Sequence, residues 1–265
     1  MRALWLTDIH LNFVDDEGLA AFVDRVQRQK ADAVLLTGDV GESHNLLQYL
    51  QQLKDAWDCP IYFVLGNHDF YFGSIEQLRQ EVDRFCQSQP QLTYLTSLEV
   101  EQLTPRIGLI GHDGWADGRI GDYERSFVMM NDYRLIHELA PYNKQDRLAV
   151  LHALGDEAAA HVRRVLPRAL DAYSEVVFLT HVPPLREACW YEGQLSNDEW
   201  APHFTCQAIG DALLEIMPEY PDHHVTVLCG HTHSRGETHP LPNLEIRTGE
   251  ADYGHPDVEQ IFSFP

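Results

Sequence analysis

Five apolar runs in this chain each end on residues that bind metals, and that coincidence limits its fold more than any other feature. Asp8 and His10 follow ALWLT, Asp39 follows AVLLTG, and Asn67, His68 and Asp69 follow IYFVLG. His181 follows VVFLT, and His231, Thr232 and His233 follow VTVLCG. Short apolar runs of this kind read as buried strands. In an α/β sheet the carboxyl ends of the strands converge on one crevice, so five such endings can build one site.

Between the first of these runs the apolar spacing is helical. Segment 16–30 places Leu19, Phe22, Val23 and Val26 on one face, and 43–56 does the same with Leu46, Leu47, Leu50 and Leu53. A third helix is predicted to start at Ser74, which has capping-box spacing to Gln77, and to continue through Leu78, Val82 and Phe85. The order is β-α-β-α-β-α, followed by short strands near 92–95, 98–103 and 106–110 joined by tight turns. Residues 111–134 are irregular and punctuated by Gly111, Gly114, Gly118 and Gly121. Helices are expected at 156–172 and 205–217. The apolar strings 225–229, 244–248 and 258–264 read as strands that finish a second sheet. No linker, repeat or low-complexity stretch divides the chain, so 1–265 is expected to be a single α/β domain with an irregular cap-like segment at about 112–175.

Charge narrows the partners. With 19 basic and 41 acidic side chains the formal net charge is -22, and no Lys/Arg cluster is present to exchange counterions with a polyanion. Nucleic acid is therefore a poor partner. No apolar stretch approaches the ~18 to 20 residues of a membrane span. Asp8 comes too early for a signal peptide to precede it, and the five cysteines are odd in number and lack a CxxC pair. A cytoplasmic location with reduced thiols is expected.

The residue types at the strand ends define the chemistry. Asp8 and His10 are two apart, as are His231 and His233, so in an extended strand each pair would share a face and reach one cation. Mixed imidazole and carboxylate donors suit Mn, Fe, Co, Ni or Zn, whereas Mg and Ca prefer oxygen alone. Asp8, His10, Asp39, Asn67, His181, His231 and His233 are too many for one tetrahedral zinc. Two metals sharing Asp39 would use them all. His112 and His255 also follow a predicted strand and a glycine, but neither has a ligand at the right spacing.

The ordered series Asp8-x-His10, Gly38-Asp39, Gly66-Asn67-His68-Asp69, Thr180-His181 and Gly230-His231-Thr232-His233 resembles the calcineurin-like metallophosphoesterases over residues 8–233. Each string alone recurs by chance, but all five in order form a specific signal. The resemblance implies a two-sheet mixed β-sandwich flanked by helices in four αββα layers, with the site where strand ends meet. It implies two divalent transition-metal ions, with Mn, Fe or Zn foremost. One would take Asp8, His10, Asp39 and His233, and the other Asp39, Asn67, His181 and His231. His68 would be the catalytic residue over the phosphate, stabilising charge or protonating the leaving group, with Asp69 orienting its ring. Two cations roughly 3.5 to 4 Å apart would clamp the phosphoryl oxygens, and a metal-bridging hydroxide would attack phosphorus.

The implied function is hydrolysis of a small phosphate mono- or diester. The alternatives are a nuclease of the same superfamily, disfavoured by the absence of basic runs, and a non-catalytic interaction module, disfavoured by the complete ligand series. Ser/Thr protein phosphatases carry GNHE and an arginine shortly after the bridging aspartate, whereas this chain reads GNHD and GDVGES. Trp115, Tyr123, Phe127 and Tyr133, with Arg119, Arg125 and Arg134, are candidates for a cap in which aromatics hold a ring and an arginine grips phosphate.

Overall fold

Strands buried on both faces read as continuous apolar runs, and the first half of the chain is built from them. The computed structural model describes all 265 residues. It opens with β1 (Arg2–Leu6), α1 (Asp16–Gln27), β2 (Ala33–Thr37), α2 (Leu46–Ala56), β3 (Ile61–Val64), α3 (Ile75–Gln87) and β4 (Leu92–Tyr94). The hairpin β5 (Glu101–Gln102) and β6 (Ile107–Gly111) follows, then α4 (Asp132–Leu135), the long α5 (Lys144–Ala172) and β7 (Glu175–Leu179). A small hairpin, β8 (Trp190–Tyr191) and β9 (Gln194–Leu195), precedes α6 (Ala201–Phe204) and α7 (Gln207–Ile216). The chain ends with β10 (His224–Cys229), β11 (Gly236–Leu241), β12 (Leu244–Thr248) and β13 (Gln260–Ser263).

Two main sheets result. The first has the order β13-β1-β2-β3-β4, parallel except for β13; the second has the order β11-β12-β10-β7-β6-β5, parallel except at its two edges. Alternation along each strand sorts side chains into layers. Trp5, Leu35, Val64, Leu109, Val177 and Leu228 fill the space between the sheets. Leu4, Leu6, Leu36 and Phe63 point the other way, onto Phe22, Val26, Leu50 and Val82 of α1 to α3. On the outer face of the second sheet Val176, Phe178 and Val227 meet Val162, Leu166 and Leu213 of α5 and α7. The expected αββα sandwich is present. No helix is long and apolar enough to cross a membrane.

Several boundaries move for local reasons. Ser74 does cap α3, accepting from Gln77 N at 3.3 Å. α2 begins three residues later than 43 because Asn45 Oδ1 accepts from Glu42 N and closes a turn there. α5 starts at Lys144, twelve residues before the expected 156, where Asn143 Oδ1 caps the amides of Gln145 and Asp146. The irregular excursion thus occupies 112–143, and the rest of the 112–175 segment is a helix packed on the second sheet. The segment 258–264 does not finish the second sheet. β13 instead runs antiparallel to β1 at the edge of the first. The strands near 92–95 and 98–103 are likewise split, β4 joining the first sheet and β5 the second. Apolar pattern identifies a strand, but which edge it joins depends on where the chain lies when it arrives.

Phe178 is fully buried between β7 and the α5/α7 layer. Phe178→Ala should lower unfolding free energy by about 3–5 kcal/mol through lost burial and the cavity left behind. Urea denaturation checks this as a lower midpoint at unchanged slope.

Candidate metal centre

The ligand candidates leave their strands in backbone conformations that strands do not use. Asp8 (φ 47), His10 (φ 40), Asp39 (φ 54), His231 (φ 72) and His233 (φ 53) all lie in the left-handed region. The pairs 8/10 and 231/233 therefore converge through tight turns beyond the strand end, and the extended alternation expected for them does not apply. Asp and His tolerate this region better than most residues, but each such position costs of order 1–3 kcal/mol and persists only where surroundings enforce it. Here backbone pairing enforces it: the amides of Asp8, His10 and Leu11 donate to the carbonyls of Gly38, Asp39 and Val40 at 3.1, 2.9 and 2.9 Å.

Glycine makes room for the side chains. A Cβ on Gly66 would lie 2.1 Å from Asp39 Oδ1, and one on Gly230 would lie 2.0 Å from Asp8 Oδ2. The carboxylates thus press against bare backbone. This explains why glycine immediately precedes both the Asn67 and the His231 clusters.

All seven ligand candidates come together at the seam between the sheets. Asp8, His10, Asp39 and Asn67 arrive from the first sheet, and His181, His231 and His233 from the second. Donor atoms of Asp8, His10, Asp39 and His233 all lie within 4.8 Å of one another. His10 Nε2 is 3.1 Å from His233 Nε2 and 3.6 Å from Asp39 Oδ2, and His233 Nε2 is 3.4 Å from Asp8 Oδ1. The same Asp39 Oδ2 is 3.5 Å from His181 Nε2.

The remaining donors have their protons pointed away from the centre. His181 Nδ1 donates to Thr37 O at 2.8 Å, and His231 Nε2 donates to His203 O at 3.0 Å. Asn67 Nδ2 donates to Asp132 Oδ1 at 2.9 Å. What is left is three lone pairs, on His181 Nε2, His231 Nδ1 and Asn67 Oδ1, with separations of 3.0, 2.8 and 3.3 Å. Acceptors do not stabilise one another, so this cluster fits a cation. The electrostatics agree. Burial pushes His10 down to about 3 and His231 down to about 4, which keeps both imidazoles neutral and able to ligate. Burial and then the charge of Asp8 and Asp69 raise Asp39 well above the ordinary carboxylate range. Against the opposing effect of burial, the neighbouring histidines, His233 foremost, hold Asp8 below the ordinary carboxylate range, so Asp39 is the acid whose charge a positive ion would relieve. A second cluster of ligand type, Glu237, His239 and Glu245, already has a cation of its own in Arg247, 2.5 Å from Glu245 and 3.8 Å from Glu237.

His68 sits at the edge of the centre, its ring stacked on Tyr71 at 4.3 Å and edge-on to His10 at 4.6 Å. Burial, with the neighbouring histidines adding to it, pushes its imidazole down to about 2. Its Nδ1 is buried without a hydrogen-bond partner. Asp69 does not orient this ring. Its carboxylate is taken up by backbone: Oδ2 accepts from Asp39 N and Gly66 N at 3.0 and 2.9 Å, and Oδ1 from Val40 N and Gly41 N at 2.9 Å each. Burial raises this acid and the four amides pull it back.

Sequence spacing missed two residues that shape the site. Asp132, buried in the excursion, accepts from Asn67 Nδ2 and from Tyr71 Oη at 2.8 Å, and so decides which end of the Asn67 amide faces the centre. Tyr253 packs 4.6 Å from the His10 ring and 4.9 Å from that of His233. Neither stands near a strand end with a motif, so no local signal marks them. Of the residues proposed as a cap, Trp115, Tyr123 and Tyr133 are core residues, Arg119 is bound by Asp117 and Asp156, and Arg125 lies beside Asp122. Phe127 alone of the four aromatics projects into solvent. His112 is buried with Nδ1 accepting from Gly114 N at 3.0 Å, and His255 is exposed on the rim.

Asp69→Asn puts an amide NH2 against two backbone donors. Each buried donor left unpaired costs about 1–3 kcal/mol, so a loss of at least about 2 kcal/mol in urea unfolding is expected. Unchanged stability would remove Asp69 from this role. Asp132→Ala removes the acceptor that orients the Asn67 amide, and the variant should bind fewer equivalents of Mn²⁺ than the wild type by elemental analysis.

Comparison with known proteins places this geometry. Residues 1–235 match the calcineurin-like phosphoesterase family. No curated protein matches the chain by sequence. Among solved structures, a phosphopantetheinyl hydrolase from Mycobacterium tuberculosis has a TM-score of 0.68 at 14% identity, over 95% of this chain and 89% of that one. A dimetal phosphatase from Danio rerio has a TM-score of 0.59 at 17% identity, over 94% and 87%. At these identities the two structures speak for the fold, and the family match speaks for the chemistry. The chain belongs to the calcineurin-like phosphoesterases, and it is a metal-dependent phosphoric ester hydrolase.

Proposed function

We propose that the protein hydrolyses a small phosphate mono- or diester at a dinuclear centre in which Asp39 is shared. The observation that carries this reading is the position of Asp39 Oδ2, 3.6 Å from His10 Nε2 on one side and 3.5 Å from His181 Nε2 on the other. Asp8, His10, Asp39 and His233 would hold one divalent ion, and Asp39, Asn67, His181 and His231 the other. Imidazole, carboxylate and amide together favour Mn, Fe or Zn over Mg. When bound, such ions supply Lewis acidity, holding phosphoryl oxygens and making water nucleophilic near neutral pH.

The protein's own residues do the rest. His231 N donates to Asp8 Oδ1 at 3.0 Å, and His68 N donates to Asp39 Oδ1 at 2.9 Å, so both carboxylates are oriented before substrate arrives. The His68 imidazole, held against Tyr71 at the edge of the centre, is placed to hydrogen-bond a phosphoryl or leaving oxygen. With two divalent ions the local charge favours phosphate, while the -22 of the whole chain opposes a long polyanion lying across the surface. That balance supports a small substrate over a nuclease role. Retention of every ligand candidate and of His68 argues against a non-catalytic module. A cytoplasmic setting accords with five free cysteines.

Hydrolysis of bis-p-nitrophenyl phosphate and p-nitrophenyl phosphate should vanish on chelation and return with Mn²⁺ or another transition metal. The preferred ester then identifies the substrate class. His68→Ala should lower kcat by about 10²–10³-fold, the range for losing one hydrogen-bond donor to the transition state, with metal content retained. Wild-type turnover in that variant would rule out the role given to His68.

A further inference from the structure

Beside the metal centre lies a cavity of about 510 Å³ that shares a wall with it. His68, Tyr71 and Tyr253 line it on the side of the metal centre, where Tyr253 packs against His10 and His233, and Phe127, Met129 and Trp200 line the rest. Three of the lining side chains are unusually exposed for their chemistry: Phe127 at 94%, Met129 at 53% and Tyr253 at 45%. Isolated exposed apolar residues are ordinary, but a group of them around one opening marks a binding surface.

The backbone that carries Phe127 is held in place. Ser126 Oγ donates to Glu199 O at 2.8 Å and accepts from Val128 N at 3.1 Å, while Phe127 N donates to Glu199 Oε1 at 3.4 Å. The ring is therefore presented to solvent by a braced segment. No lysine or arginine lines the cavity, and Glu199 is its one carboxylate. A second anionic group on the substrate would meet that acid with no cation to answer it. An uncharged apolar group would cover the exposed rings and displace water from them.

We propose that this cavity is a leaving-group subsite, and that the substrate is a phosphate ester of an uncharged, apolar or aromatic alcohol. The proposal rests on the phosphoesterase reading of the adjoining centre. With the phosphoryl group held by the residues of the centre, an ester oxygen directed to the His68 side would enter the cavity that His68 lines. Water adds to phosphorus, the bond from phosphorus to the ester oxygen breaks, and the departing oxygen takes up a proton to leave as the free alcohol. The alcohol's body occupies the space between Phe127 and Tyr253.

The test uses Mn²⁺-loaded full-length protein with benzyl against ethyl phosphate, and dibenzyl against diethyl phosphate. These alcohols are of similar acidity, so a difference in kcat/KM reports the subsite and not the leaving group's reactivity. Binding of the non-hydrolysable benzylphosphonate and ethylphosphonate is measured in parallel by calorimetry. The benzyl compounds should be favoured on the order of tenfold or more, the scale of discrimination a hydrophobic pocket achieves. In Phe127→Ala, Phe127→Glu and Met129→Ala the benzyl-to-ethyl ratio should fall toward one. Equal preference in the wild type overturns the proposal, as does a ratio untouched by all three variants. So does a change in sedimentation of Phe127→Glu with no change in the ratio, which would make the patch an interface between copies of the chain. Tighter benzylphosphonate binding without turnover of any ester would keep the subsite and sink the esterase reading instead.

Discussion

The carboxylate of Asp69 holds the backbone of the candidate metal centre together. Four amides from two loops, Asp39, Val40 and Gly41 after β2 and Gly66 after β3, converge on its two oxygens. With those donors satisfied inside the protein, the loops can turn sharply and remain buried; without them, four polar groups would face the core unpaired. Asp39 reaches the centre of the site from a left-handed backbone because this anchor holds its own amide. An acid beside a candidate catalytic histidine looked like a partner for that ring. It serves the loop instead.

A comparable anchor joins the two sheets. Asp113, just past β6 in the second sheet, accepts from Leu65 N at the end of β3 in the first, and also from Arg79, Tyr94 and Thr96. Its carbonyl accepts from His181 N, and the His181 ring then donates to Thr37 O across the seam. Ligand candidates from different sheets, such as His181 and Asn67 at 3.0 Å, are thereby held within reach of a common cation. The sandwich core alone, which is apolar and non-directional, would not set positions this finely. Directional bonds to buried carboxylates do, and they cost heavily when broken.

The same site shows two opposed surfaces. Its interior is crowded with acids and with imidazoles, of which His10 and His231 are held neutral by burial, and fits positive charge, whereas its mouth is apolar with a single acid. That contrast suits a molecule with one compact anionic end and an uncharged body. It arises from the excursion at 112–143, which sends Asp132 inward to Asn67 and Phe127 outward to solvent within six residues.

The sequence by itself determined most of the strands, though not the β8–β9 hairpin or β11, the helical faces of α1 to α3, and the series of ligand candidates from Asp8 to His233. These are legible because strand burial and metal ligation each demand particular residue types at particular spacings, all within a few positions. The sequence could not reveal that β13 returns to the first sheet, that α5 begins at Asn143's cap, or that Asp69 serves backbone amides. Nor could it single out Asp132 and Tyr253. Those are contacts between residues far apart in the chain, such as the 65 positions separating Asn67 from Asp132. No local pattern encodes such a pairing, because it exists only once both sheets have packed and the loops between them have found their donors and acceptors.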